Sequence, residues 1–232
     1  MNHTDFKTHK LNKNEIIPGT VWLLFETLFF ASLLQVLNGL LPTPLPQTEV
    51  NFIFFAVNFT AVAWIFRRFW IAQIRLLPEV VGKVLLTAVV GFAVYWVLNF
   101  LSAQIIFTLD SNFTSVNDKT IQTLVAEDYT LMFVGTVILA PIAEECLFRG
   151  LIFRGIYDHS PVFAWIVSIL LFALVHILGY AGTYPFHTLV LCFVQYLPAG
   201  ICLAGAYRFS GSVFCPILIH SAVNLIGMMS LR

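Results

Sequence analysis

Two adjacent carboxylates and a guanidinium stand in a part of the sequence that is otherwise apolar. Glu144, Glu145 and Arg149 lie between the flanks 129–141 and 150–157, which consist largely of apolar residues. A charged side chain at the centre of a membrane helix costs about 2.5–3.5 kcal/mol on insertion scales, so ionisable residues in such a place indicate a functional site. This cluster is the first candidate for chemistry in the chain.

Helical spacing gives the two carboxylates different neighbours. Residues four apart share one face of a helix, whereas adjacent residues are about 100° apart. Glu145 therefore lies beside Arg149, and the two can form a bidentate ion pair. Glu144 is left without a cationic neighbour, and a buried carboxylate holds a proton more readily than one in water. This predicts Glu144 as a general base, while the Glu145–Arg149 pair either supports the site or only fixes helix packing.

Two further polar pairs occur in apolar runs, both at the i, i+4 spacing. Phe172 and His176 form one pair, and His220 and Asn224 form the other. Two donors on one helix face can stabilise a developing oxyanion, which fits His220 with Asn224. Taken singly, an intramembrane histidine is often a hydrogen-bonded core residue, Asn224 can join helices, and Phe172 is suited to packing.

The depth of these residues can be estimated from the turns that flank their helices. Glu144 precedes the turn at 158–161 and His176 follows it by similar numbers of residues, which places both about 20–25 Å from it. The two side chains are therefore expected at the same level. His220 lies only about 15 Å beyond the joint at 208–211, so it is expected to be shallower unless its helix is tilted.

The composition is that of an integral membrane protein. Of the 232 residues, 59% are hydrophobic, only 10% are charged and 23 are Phe, which is too apolar for a soluble domain. The 12 basic and 12 acidic residues give a net charge of zero, so no nucleic acid partner is indicated. The lipid bilayer is the expected environment.

The apolar runs predict an all-α fold: a polytopic membrane helical bundle of about seven transmembrane helices, with eight as the alternative, and the site inside the bundle. The predicted spans are 20–41, 51–69, 82–107, 129–157, 162–179, 186–207 and 211–230. The joints between them include one at 75–78 and a long acidic loop at 110–128. We divide the chain into an N-terminal segment (1–19), N-terminal helices with the acidic loop (20–128) and a catalytic core (129–232).

Lys and Arg lie near one set of helix ends. They precede the first span and follow the second and sixth, whereas the acidic loop lies at the opposite ends. Since short basic loops stay in the cytoplasm, this predicts a multi-pass protein of the cell membrane with a cytoplasmic N-terminus. The first apolar run is longer than the core of a cleavable signal peptide, so we interpret it as a retained span. The four cysteines have no metal-like spacing and are expected to pack as small hydrophobes.

The three motifs occur together and in a fixed order along the chain. They read Glu-Glu-x-x-x-Arg at 144–149, Phe-x-x-x-His at 172–176 and His-x-x-x-Asn at 220–224. In this combination the chain resembles the CPBP intramembrane proteases, which include the type II CAAX prenyl endopeptidases and bacterial abortive-infection or bacteriocin-immunity proteins. The resemblance covers roughly residues 130–230, and the first three spans match nothing that we can name.

The resemblance implies a role for each motif residue in an intramembrane endopeptidase. Glu144 and His176 activate a water molecule for attack on a peptide carbonyl. His220 and Asn224 stabilise the oxyanion. The supporting residues are Glu145, Arg149 and Phe172.

No cofactor is expected, and zinc is the alternative. Glu144, His176 and His220 could ligate zinc, but the sequence has no His-Glu-x-x-His motif and these residues come from separate helices. The expected substrate is a peptide or membrane-anchored protein delivered from the lipid or the cytosolic side, and the residues do not decide whether it is prenylated. The alternatives to an enzyme are a non-catalytic binding or bacteriocin-immunity protein and, with no inverted repeats evident, a proton-coupled transporter.

Overall fold

The computed structural model describes residues 10–231, and every regular element in that range is helical. The helices are α1 (Lys13–Gly39), α2 (Gln47–Ile65), α3 (Arg67–Leu109), α4 (Val116–Glu127), α5 (Tyr129–Tyr157), α6 (Pro161–Leu178), α7 (Phe186–Ser210) and α8 (Phe214–Ser230). All but α4 and α8 are long and apolar enough to cross a membrane, and α8 is a shorter apolar helix of 17 residues. The polytopic helical bundle is thereby confirmed, while residues 1–9 of the predicted N-terminal segment lie outside the described range.

Helix α1 begins earlier than the apolar run because polar residues close its first turn. The Asn12 side chain accepts from the Asn14 N–H, and Glu15 Oε2 accepts from the Asn12 N–H at 3.1 Å. Such reciprocal bonds satisfy backbone donors that a helix start leaves open. The buried Glu15 also accepts from the Phe69 N–H at 3.1 Å, which ties α1 to the start of α3.

The expected joint at 75–78 is wrong, since α3 runs through Pro78 without a break. A proline inside a helix lacks one N–H and disturbs one turn, but apolar residues continue on both sides of it. The 43-residue helix is longer than a bilayer requires, and its first part carries the basic residues Arg67, Arg68 and Arg75.

The acidic loop expected at 110–128 contains the helix α4. Ser115 caps this helix by accepting from the Asp118 N–H at 3.2 Å, and Val116, Leu124 and Val125 are buried against the bundle. A Ser-x-x-Asp start followed by spaced apolar residues is typical of an amphipathic helix. The helix therefore covers one end of the bundle.

Helix α5 lies in the middle of the bundle, and 56% of its most apolar window is buried against protein. Helix α7 packs against α3 and α6, and α8 packs against α3, α5 and α7. Two stretches of α5, Val134–Leu139 and Cys146–Phe153, are wound as π-helix. Such segments occur often at functional sites because they re-aim side chains and free backbone groups.

The turn between α7 and α8 explains how His220 reaches the depth of the other site residues. Gly211 ends α7 with φ 75°, a left-handed conformation that suits glycine. Ser212 and Val213 are completely buried, and the Val213 N–H donates to Gln73 Oε1 at 3.0 Å. Helix α8 therefore starts inside the bundle, so the expectation of a shallow His220 is wrong.

Candidate active site

Three side chains from three helices converge at the centre of the bundle. Glu144 Oε2 of α5 lies 3.8 Å from His176 Nε2 of α6 and 4.0 Å from His220 Nε2 of α8. This oxygen has no hydrogen-bond partner among the described residues. Polar atoms separated by more than 3.5 Å are commonly bridged by water. A water molecule bonded to Glu144 and either histidine at about 2.8 Å fits these gaps.

The other ring nitrogen of each histidine is anchored. His176 Nδ1 lies 2.7 Å from the Phe172 carbonyl oxygen, and His220 Nδ1 lies 2.9 Å from Glu145 Oε1. A carbonyl oxygen only accepts, and so does a carboxylate ionised beside an arginine, so Nδ1 carries the proton in both rings. The Nε2 atoms that face Glu144 are therefore free to accept a hydrogen bond while the rings are neutral.

The Glu145–Arg149 pair predicted from the helical spacing is present and completely buried. The carboxylate and guanidinium make two N–O contacts of 3.1 Å, of which Nη1 to Oε1 has hydrogen-bond geometry. Arg149 Nη2 also donates to the Gly200 carbonyl at 3.4 Å, and its guanidinium lies 4.5 Å from the centre of the Phe172 ring. The arginine thus links α5 to α6 and α7 and pairs with the same carboxylate that contacts His220.

Asn224 is held by a backbone group that the π-helix leaves open. In that winding the Ala140 N–H donates to the Gly135 carbonyl, five residues back, so the Thr136 carbonyl would accept from residue 141. Residue 141 is Pro141, which has no N–H. Asn224 Nδ2 supplies the missing bond at 2.8 Å. One N–H of the Asn224 amide makes this bond, and the amide has a second N–H that the bond does not use.

Tyr196 of α7 belongs to the site, although the motifs gave no reason to select it. Its ring stacks on the His176 ring with centroids 4.2 Å apart and an angle of 27° between the planes. Phe172 contacts His220, with the two ring centroids 5.8 Å apart. The sequence contains one feature that could have indicated Tyr196, namely the pair Gln195-Tyr196 in an apolar run, because polar groups inside a membrane helix need partners.

The candidate catalytic residues line one cavity of about 640 Å³, within the range of small-ligand and peptide pockets. Glu144, His176, His220 and Asn224 lie on its wall, and Glu145 and Arg149 do not. The cavity extends from these residues to Asn117 and Asp118 of α4.

Zinc fits the three candidate ligands poorly as they stand. Donor atoms that share one tetrahedral zinc at bonds of about 2.0–2.1 Å are roughly 3.3–3.4 Å apart. Glu144 Oε2 is farther than that from both histidine nitrogens, at 3.8 and 4.0 Å. Within residues 10–231, no group of three or more His, Cys, Asp or Glu side chains is arranged to hold a metal ion.

The fold and the site together define a multi-pass helical membrane protein with a glutamate–histidine cluster inside the bundle. Residues 126–226 match the sequence model of the type II CAAX prenyl endopeptidase Rce1-like family. The resemblance predicted from the three motifs is thus confirmed for this segment. The matched segment contains all three motifs.

A similar curated protein is the UPF0177 protein YbdI of Lactococcus lactis subsp. lactis (strain IL1403). It is 31% identical over 94 residues, which are 40% of this chain and 45% of that protein. The matched part is less than half of that relative's length. No solved structure matches the chain, and neither the family nor the relative is described as an immunity protein.

Proposed function

We propose that this protein is an intramembrane endopeptidase that hydrolyses a peptide bond with Glu144 as the general base. The observation that carries the proposal is the convergence of two anchored imidazoles on one unpartnered carboxylate oxygen, at 3.8 and 4.0 Å. General acid–base catalysis needs such a group within one water molecule of its target. The family match to residues 126–226 supports the same reaction class.

In the proposed reaction, a water molecule binds between Glu144 Oε2 and His176 Nε2. Glu144 takes one proton from the water. His176 Nε2 accepts a hydrogen bond from the other O–H of the water and so orients the water oxygen. The water oxygen forms a bond to the carbonyl carbon, and the electrons of the C=O double bond move to the carbonyl oxygen. The negative oxygen then re-forms the C=O double bond, the C–N bond breaks, and Glu144 returns its proton to the leaving nitrogen, which gives an acid and an amine.

The negative oxygen of the intermediate requires donors, and we assign this role to His220 and Asn224. Because His220 Nδ1 already donates to Glu145 at 2.9 Å, its Nε2 can donate only in the imidazolium form. In that form Glu145 Oε1 is the anionic partner of the ring. Asn224 contributes the N–H that Thr136 does not use. One oxyanion donor typically contributes about 10²–10³ to the rate.

We propose a metal-free mechanism, since the donor distances suit water better than zinc. The expected substrate is a peptide or a membrane-anchored protein that reaches the cavity from the membrane or its surface. A binding or immunity protein with the same fold would keep the cluster for structure alone. The two functions differ in whether the charge of Glu144 matters.

We further propose that the N-terminus is cytoplasmic, as the Lys and Arg distribution indicates. In that orientation α4 and the end of the cavity that it lines face away from the cytosol, so a substrate that enters at this end would come from the outer side. Thr123 of α4 and Glu79, in the first part of α3, are both exposed, and the four cysteines are buried. A membrane-impermeant maleimide should label Thr123→Cys in intact cells and Glu79→Cys only after permeabilisation. The reverse pattern would overturn the orientation.

The proposed function is tested by purifying the wild type and Glu144→Gln in detergent. Both are incubated with a peptide library, with and without a chelator, and products are read by mass spectrometry. We expect the variant to lose about 10²–10⁴-fold in rate, and the chelator to have no effect. Glu79→Gln changes an exposed glutamate that does not line the cavity; it is the matched control and should cleave normally. Equal cleavage by wild type and Glu144→Gln would remove Glu144 from the mechanism.

A further inference from the structure

The cavity that holds the catalytic cluster has a second polar region where it reaches α4. Its lining there includes Asp118 of α4, Tyr95 of α3, Tyr180 after α6 and Tyr196 of α7. The Tyr180 hydroxyl donates to Oδ1 of Asn117, the neighbour of Asp118, at 3.3 Å, and Gln195, the neighbour of Tyr196, donates to Asp118 itself. Four elements thus bring a carboxylate and three aromatic rings together. We call this region, with Gln195, the anionic mouth.

The charged side chains in the described lining of the cavity are negative. Among the residues that the structure describes, its lining includes the carboxylates of Glu144 and Asp118 and no Lys or Arg side chain. A cleft lined by one sign of charge raises the local concentration of oppositely charged ligands. Aromatic faces attract cations as well, by about 0.5–2 kcal/mol per contact. Both features favour a positively charged ligand.

Gln195 adds an acceptor that has no partner. Its Nε2 donates to Asp118 Oδ2 at 3.2 Å, while its Oε1 is buried and has no hydrogen-bond partner among residues 10–231. A buried acceptor without a donor is costly. Ammonium and guanidinium groups donate several hydrogen bonds and accept none, so they match both Gln195 Oε1 and the Asp118 carboxylate.

The anionic mouth lies next to the catalytic cluster. The Tyr196 ring stacks on His176 with the centroids 4.2 Å apart, and the preceding residue, Gln195, donates to Asp118 at 3.2 Å. A single aromatic side chain therefore separates the two polar regions. A group bound at the mouth would belong to a substrate residue near the bond that is cut.

We infer that the anionic mouth is a substrate subsite that binds a cationic group, either a Lys or Arg side chain or a free amino terminus. Asp118 and Gln195 accept its hydrogen bonds, and Tyr95, Tyr180 and Tyr196 enclose it. The inference rests on the proposed endopeptidase function, because it names a feature of that substrate. It predicts a preference for a positive charge close to the scissile bond.

A structural role for Asp118 makes a different prediction. If Asp118 served only to hold α4 through Gln195, an asparagine would keep the size and one acceptor oxygen, and ligand charge would not matter. Asp118→Asn therefore separates charge recognition from helix attachment. Glu49→Gln removes the same charge at the same end of the bundle, from a residue outside the cavity, and is the matched control.

The experiment measures binding, so that it does not depend on turnover. A fluorescent peptide with one central lysine, its glutamine counterpart, and versions with free or acetylated amino termini are titrated into Glu144→Gln protein in detergent. The Glu144→Gln/Asp118→Asn and Glu144→Gln/Glu49→Gln proteins are compared with it by fluorescence anisotropy. Thermal unfolding of each protein verifies folding, and Asp118→Glu, which keeps the charge, serves as a second variant.

We expect the lysine peptide to bind about tenfold more tightly than the glutamine peptide. Asp118→Asn should abolish this difference, whereas Glu49→Gln and Asp118→Glu should retain it. If the free amino terminus is the recognised group, acetylation will remove the preference instead of the lysine exchange. Equal binding of all peptides, or a preference that survives Asp118→Asn, would overturn the subsite. Charge-dependent binding without any cleavage by the wild type would retain the subsite and reject the endopeptidase.

Discussion

Helices α3 and α5 are both apolar, but the two occupy different places in the bundle. Their mean hydropathies are 2.1 and 1.8, yet only 6% of the α3 window is buried against protein, compared with 56% for α5. Leu86 and Val89 of α3 are exposed for 67% and 70% of their surface, whereas Glu145 and Arg149 of α5 are completely buried. Protein surrounds α5 and supplies partners for its charges, which lipid cannot do. Hydropathy alone does not separate the two helices, whereas the burial of their charged side chains does.

The largest effect is expected from breaking the ion pair that the inner helix holds. Arg149→Leu leaves Glu145 buried without its cation, which should lower the free energy of unfolding by about 3–5 kcal/mol. Arg67→Leu at the start of α3 removes an exposed arginine and should change stability by less than about 0.5 kcal/mol. Denaturant titration in detergent micelles, followed by tryptophan fluorescence, compares them. If the two variants are equally stable, the buried Glu145–Arg149 pair is not needed for the stability of the fold.

Asn224 has a structural and a proposed catalytic use, and a double mutant separates them. Asn224→Ala leaves the Thr136 carbonyl without its hydrogen-bond donor and should lower the free energy of unfolding by about 1–3 kcal/mol. In the Pro141→Ala background the new N–H of residue 141 can satisfy that carbonyl, so this cost should shrink to below about 0.5 kcal/mol. The cleavage rate should still fall by about 10²–10³-fold.

Unfolding and cleavage are measured on the same four proteins of this cycle. A cleavage loss that disappears together with the stability loss would assign Asn224 to packing alone. A stability cost that is the same in both backgrounds would show that the Pro141 explanation is wrong.

A smaller contrast is expected between two glycines. A Cβ added to Gly200 of α7 would lie 3.1 Å from the Ile169 carbonyl oxygen and 3.2 Å from its Cα, whereas a Cβ at Gly82 of α3 would meet nothing within 4 Å. Gly200→Ala should therefore destabilise the protein by about 1–3 kcal/mol. Gly82→Ala should be neutral or stabilising by up to about 1 kcal/mol. Thermal unfolding decides, and a stable Gly200→Ala would contradict the close α6–α7 contact.

The smallest effect concerns the ion pairs at the exposed basic end. Partial burial raises the pKa of Asp158, but hydrogen bonds from Lys10 and Arg154, at 2.5 and 2.6 Å, outweigh it and hold this pKa below its usual value. Because the pKa of Asp158 is lower in the folded protein than in the unfolded chain, its ion pairs stabilise the fold fully at any pH above the unfolded pKa. This stabilisation is lost as the pH falls through the folded pKa. Asp158→Asn should cost about 0–1 kcal/mol at neutral pH. This cost should vanish in acid, and a cost that persists there would contradict the charge-based explanation.

The sequence predicted much of the arrangement because short-range rules govern it. Helical spacing alone predicts that Arg149 pairs with Glu145 and not with Glu144, and the apolar runs locate the membrane helices. The depth of His220 was not predictable, since it depends on a buried turn at Ser212 that no periodicity reveals. The stacking of Tyr196 on His176 was missed for the same reason, because it joins residues of different helices.

The central claim is that Glu144 performs chemistry and its neighbour Glu145 performs support. The most direct measurement compares Glu144→Gln with Glu145→Gln for both peptide cleavage and unfolding free energy. We predict that Glu144→Gln loses cleavage and keeps its stability, whereas Glu145→Gln loses about 3–5 kcal/mol because Arg149 is left buried without its anion. If Glu144→Gln cleaves peptides as fast as the wild type, or if Glu145→Gln is as stable as the wild type, this division of roles is wrong.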